Sequence, residues 1–153
     1  MSEQLTFSKD FWSSTYEVKD GAQVLIKTEK KSIWSYDSNV RIGDKEYFFD
    51  VTGLLSDTVI IYEDKDKVIG NININFWNTE AYILLENEGK FFFKQIGLIA
   101  DEWELHNEEG LMIHFSKNFF TNDGTIKIYQ ENDKCLAIGI FLISLYQQKS
   151  NNS

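Results

Sequence analysis

The run Cys135-Leu-Ala-Ile-Gly-Ile-Phe-Leu-Ile-Ser-Leu-Tyr146 is apolar at ten of its twelve positions, broken only by Gly139 and Ser144. A segment with no polar face has to be buried on every side, and the remaining chain must supply those sides. The run is too short to cross a bilayer, which takes about 20 residues as a helix. Asn132 and Asp133 precede it with helix-capping chemistry, and Lys149 follows at the negative end of a helix dipole. The pattern predicts a short buried helix wrapped by the rest of the chain. The alternative is a central strand of a β-sandwich.

What precedes the run reads as short strands joined by turn chemistry. Tyr16 to Val18 meets Val24 to Ile26 through Asp20-Gly21, a strong hairpin signal. Val40 to Ile42 turns at Gly43-Asp44 into Tyr47 to Phe49, and Ile33 to Tyr36 reads as a further strand. Gly70-Asn-Ile-Asn-Ile-Asn-Phe76 alternates at period two, isoleucines on one face and asparagines on the other, as a half-buried strand does. Tyr82 to Leu85 and Phe91 to Phe93 flank a turn at Asn87-Glu-Gly89, and Trp103 to Leu105 meets Leu111 to Phe115 across Glu109-Gly110.

These blocks recur. Asp20, Asp66 and Glu109 fall at intervals of about 44 residues, as do Trp34, Trp77 and Phe120, the pair Phe49 and Phe93, and the pair Gly53 and Gly97. Three units of roughly four strands predict about twelve strands. So many short strands favour a closed shape, because closure removes exposed edges. A barrel of that girth would be hollow if only its own side chains filled it, and the apolar helix supplies the filler. The expected fold is mainly β: an antiparallel barrel of about twelve strands around a buried C-terminal helix, with a β-trefoil as the alternative. Residues 15–149 form this domain. Residues 1–14 are expected to be a polar, helical cap, with Phe7, Phe11 and Ser14 on one face, and residues 150–153 a disordered tail.

At this point the chain resembles the tubby C-terminal-like superfamily, which includes tubby proteins, phospholipid scramblases and LURP-one-related proteins. The short aromatic strands, acidic hairpin turns, recurring Trp and apolar C-terminal helix carry the resemblance. The Trp103-Glu-Leu-His-Asn-Glu-Glu-Gly-Leu hairpin and the Leu136 to Leu145 finish are similar to the small LURP-one-related type in particular. The resemblance spans roughly residues 15–149 and implies the barrel around a central helix. Tubby domains carry phosphoinositide-binding basic residues that have no matching positions here. The proline-rich region and palmitoylated cysteines of scramblases are absent too, since the chain has no Pro and one Cys.

Composition narrows function. The net charge is -9, with 24 acidic residues against 15 basic ones. That balance argues against nucleic acid, which needs a basic footprint to displace counterions from phosphates. Cys135 rules out an internal disulfide and sits where a free cysteine behaves as a small hydrophobe. No signal-peptide pattern or transmembrane segment is present, so the expected location is cytoplasmic. Phosphate-cradling, dinucleotide, Cys-x-x-Cys and nucleophile-elbow motifs are missing, so no cofactor, metal or catalytic residue is assigned.

The weak candidates are few. His106 and His114 lie on the two limbs of one hairpin, with His106 expected near Leu111 and His114 near Trp103, too far apart to share a metal unaided. The loop from Glu63 to Gly70 is acidic but lacks EF-hand spacing. Trp12, Trp34, Trp77 and Trp103 read as packing residues rather than ligand stackers. Lys27, Lys30 and Lys31, with Arg41 and Lys45, form the one basic concentration and a candidate patch for an anionic lipid head group; they also read as a solvated loop around Glu29. The expected function is a non-catalytic binding or scaffolding module for a lipid head group or protein partner. The alternatives are a small enzyme with its site at a barrel mouth and a trefoil that binds carbohydrate or protein.

Overall fold

The structure, a computed structural model, describes residues 4–10, 15–30, 36–52, 58–75, 79–97, 101–118, 121 and 123–151. The strands are β1 (Gln4–Lys9), β2 (Tyr16–Asp20), β3 (Gln23–Lys30), β4 (Ser38–Ile42), β5 (Lys45–Thr52) and β6 (Thr58–Glu63). They continue as β7 (Lys67–Asn75), β8 (Glu80–Leu85), β9 (Gly89–Ile96), β10 (Glu102–Asn107), β11 (Gly110–Lys117) and β12 (Asp123–Ile128), before helix α1 (Asp133–Asn151). Each strand pairs antiparallel with its neighbours in sequence, and β1 pairs with β12 to close the barrel. This closed meander excludes the trefoil.

Period-two patterning sets which side faces in. Ile72 and Ile74 of β7 are buried while Asn73 and Asn75 are exposed, and Ala81, Ile83 and Leu85 of β8 point inward in the same way. The inward residues meet α1, whose positions 135 to 146 are all buried. Phe141 stacks on Phe49 of β5 with centroids 4.2 Å apart, and Tyr146 stacks on Phe93 of β9 at 6.0 Å. At about 1.5 Å per residue the helix runs through the whole lumen.

Local chemistry fixes where the helix begins. The Asn132 side chain accepts a hydrogen bond from the Cys135 amide at 3.1 Å, capping the first turn as the sequence suggested. Glu88, in the β8–β9 turn, accepts from the Asn132 carboxamide at 3.0 Å and from the Lys134 ammonium at 2.8 Å. Lys149 in the last turn lies over the Tyr36 ring, 4.7 Å from its centroid.

Three expectations are corrected. Residues 4–9 are a strand rather than part of a helical cap: Leu5 and Phe7 are buried between Gln4, Thr6 and Ser8, and β1 stands between β12 and β2. Alternation at period two outweighs the helical spacing of Phe7 with Phe11 and Ser14. The third repeat unit thus contributes β10, β11 and β12, and β1 takes the fourth place. The helix continues through Asn151, so residues 150 and 151, expected in a disordered tail, belong to α1. His114 stands opposite Glu104, because a bulge at Leu105 and His106 shifts the register; His106 does pair with Leu111. Phe11, Trp12, Lys31, Ile33, Trp34, Gly53, Phe76, Trp77, Phe119 and Phe120 lie outside the described residues.

Candidate functional site

The barrel has two unlike ends. Tight turns follow β2, β4, β6, β8 and β10 at the end where α1 enters, and the longer connections join strands at the other. The tight-turn end gathers much of the acidity, including Asp44, Asp64, Asp66, Glu88, Glu108 and Glu109. A groove of about 430 Å³ lies there between the β8–β9 turn, the β10–β11 turn and the link from β12 to α1. Its walls are locked: Asn107 donates to Gln130 at 2.9 Å, and Gln130 donates to the Leu111 carbonyl at 3.1 Å. Burial opposes the charge of Glu88, but hydrogen bonds from Lys134 and Asn132 and the Lys134 charge hold its carboxyl below the usual range. Among the described residues no group of three or more His, Cys, Asp and Glu side chains could hold a metal.

The basic candidates separate. Lys27 and Arg41 are register partners on the outer wall of β3 and β4. Arg41 pairs with Glu46 at 2.9 Å, and Lys45 pairs with Glu63 at 3.2 Å near the tight-turn end. Lys30 is three residues beyond Lys27, so period two turns it to the other side of the sheet, where its ammonium lies 5.6 Å from the Tyr36 ring centroid. Lys27 and Arg41 are thus brought together, Lys45 and Lys30 lie toward opposite ends, and Lys31 is outside the described residues. The histidines face outward: His106 Nε2 is 2.9 Å from Glu104 Oε1, and His114 Nε2 is 3.5 Å from Glu102 Oε1. Trp103 is buried, in keeping with a packing role.

The outer wall over β5 to β9 is different in kind. Tyr82, Leu84 and Val68 are 55%, 46% and 49% exposed, and Phe48, Ile60, Tyr62 and Phe92 lie half-buried around them. The rings pair across strands: Phe48 with Tyr62 at 5.9 Å and Tyr82 with Phe92 at 5.1 Å. Charge stays at the margin, with Asp50 on β5, Glu80 at the start of β8, and Lys90 and Lys94 on β9. A charge-poor aromatic centre with a polar rim is the anatomy of a protein-binding surface. The sequence reading passed over this face, although it left a mark. Tyr82-Ile-Leu-Leu85 and Phe91-Phe-Phe93 are apolar at consecutive positions, where a strand with one wet face should alternate.

The fold so assembled is that of an antiparallel barrel built around one buried helix. A protein of known crystal structure from Arabidopsis thaliana is similar to it, with a TM-score of 0.58 over 96% of this chain and 91% of that one at 10% sequence identity. That protein has the LURP-one/tubby-like fold, so the likeness is one of fold. No protein-family model matches the chain, and no curated protein matches it. No helix among the described residues is long and apolar enough to cross a membrane. Outward positions such as Glu17, Lys27, Arg41, Glu104 and Lys127 carry charge that a lipid-facing barrel wall would not.

Proposed function

We propose that the protein is a non-catalytic, cytoplasmic binding module of LURP-one-related type whose partner is another protein. The observation that carries this reading is the exposed aromatic wall over β5 to β9. An apolar helix fills the lumen, so a ligand has no interior to enter. The tight-turn groove supports catalysis poorly, because Glu88 is committed to Lys134 and Asn132 and is held ionised. A closed barrel offers no free strand edge either, so a partner must engage side chains.

The test compares the wild type with a Tyr82→Ser/Leu84→Ser variant in quantitative cross-linking from the native cell, after circular dichroism shows both folded. Partners retained by the wild type and lost by the variant support the reading. Equal capture by both sinks it. Flotation with vesicles containing phosphatidylserine or phosphoinositide forms the lipid arm. Salt-sensitive flotation abolished by neutralising Lys27 and Lys30 would replace the protein partner with a lipid head group.

A further inference from the structure

The outer face of β7 carries a ladder that the aromatic wall alone does not explain. Asn71, Asn73 and Asn75 follow one another at every second position and point outward. Register places Asn71 between Ile60 of β6 and Leu84 of β8, and Asn73 between Thr58 and Tyr82. Tyr82 and Leu84 of β8 are larger than the asparagines they flank, whereas β6 offers Ile60 beside Asn71 and only the small Thr58 beside Asn73. The row of carboxamides is thus walled on the β8 side, as a shallow trough open toward β6 at Asn73.

We propose that this trough holds an extended peptide segment of a partner protein, read through its backbone. A carboxamide offers one acceptor and a two-hydrogen donor, the complement of a peptide group. Residues two apart on a strand are separated by about 6.7 Å, which is also the dipeptide repeat of an extended chain. Successive asparagines can therefore meet successive peptide groups of a segment lying along β7, while Tyr82 and Leu84 take up its side chains. The Asn71 side chain makes no hydrogen bond to a described residue, and Asn73 accepts one from Thr58 at 3.3 Å, which leaves its amide hydrogens to donate. Charge sets the flank of the segment. Lys90 is the register partner of Leu84, is exposed, and has no ion pair among the described residues. Lys94 is the register partner of Glu80 on one side and of Glu104 on the other, and likewise has no ion pair among the described residues. The peptide that fits is extended, free of proline where it meets the asparagines, and acidic on the side toward β9.

This inference rests on the protein-binding reading of the wall, and its test separates the two. A library of random ten-residue peptides is displayed and selected against the folded protein, and enriched peptides are synthesised and titrated. Enriched sequences should carry Asp or Glu and lack proline at their centre. The side-chain amide signals of Asn71 and Asn73 should shift on binding. Affinity should fall about tenfold in an Asn71→Ala/Asn73→Ala variant of unchanged melting temperature. Peptides that bind this variant as tightly as the wild type overturn the inference. So does failure to enrich any peptide while cross-linking still depends on Tyr82 and Leu84; that outcome keeps the protein-binding wall and removes the peptide track. Cross-linking that is indifferent to Tyr82 and Leu84 removes both.

Discussion

A single hydrogen atom decides the fit of the plug at Gly139. A β-carbon built there would lie 2.4 Å from the Phe115 ring, closer than any carbon contact allows. Phe115 cannot move aside easily, because it is fully buried and packs edge-on against Phe93 with centroids 6.2 Å apart. Gly139→Ala therefore sets two effects against each other. Helix propensity gains about 1 kcal/mol, whereas overpacking a filled core costs about 1–3 kcal/mol. Overpacking should win, and urea unfolding should show net destabilisation with an unchanged denaturant slope. A more stable variant would mean that the plug and wall are loosely fitted. The sequence showed this glycine as an interruption in an apolar run; the ring that faces it lies on a strand more than twenty residues earlier, out of reach of any local pattern.

Among elements, the helix was the most legible and β1 the least, and one physical difference explains both. The helix announces itself locally, through an unbroken apolar run and the Asn132 cap. β1 is defined by pairing Leu5 with Ile126 and Phe7 with Gly124 from the far end of the chain, and a window of residues 1–14 contains no trace of that partner. Packing also explains why β12 has a glycine here, since a β-carbon at Gly124 would run into the Phe7 ring. The start of the helix is held by the β8–β9 turn, a contact that sequence also conceals, and it yields a pH prediction. The Glu88 carboxyl is depressed in the folded state, so its contribution is present above its unfolded value of about 4.3 and is lost as pH falls through the folded value. Glu88→Gln should lower stability at neutral pH by less than about 1 kcal/mol, because the pair is partly solvated. The gap from the wild type should close as pH drops below about 4. Asn132→Ala, which removes the cap itself, should cost about 1 kcal/mol. A Glu88→Gln deficit that persists unchanged in acid would show that the turn holds the helix by shape rather than by charge.

At the scale of the molecule, strand number and closure followed from repeat spacing and the need to cover the helix, but the exposed aromatic wall did not. Outward apolar residues such as Tyr82, Leu84 and Phe92 look in sequence like a strand buried on both faces. Only the barrel shows which of those faces meets water. Lys30 parts from Lys27 and Arg41 for a related reason: a spacing of three residues places Lys27 and Lys30 on opposite sides of one strand. Because one helix fills the lumen, local ionisation inside should be felt by the whole fold. Burial pushes the hydroxyl of Tyr16 up to about 12, burial and the nearby Glu63 and Asp133 do the same for Tyr47, and burial pushes the Cys135 thiol to about 12. All three lie above their unfolded values of about 10 for Tyr and 8.5 for Cys. Their contribution is fully present below those unfolded values and is lost as pH rises from there toward about 12. The melting temperature should therefore fall across this alkaline window, and the phenolates of Tyr16 and Tyr47 should appear only as the circular dichroism signal is lost. Tyr16→Phe separates the cause from general base lability. The Tyr16 hydroxyl is buried without a hydrogen-bond partner among the described residues, so its removal should change neutral-pH stability by less than about 1 kcal/mol. The same substitution should move the alkaline midpoint upward, since one group that must ionise on unfolding is gone. If instead Tyr16 and Tyr47 titrate near 10 with the dichroism unchanged, water reaches the lumen and the helix does not seal it.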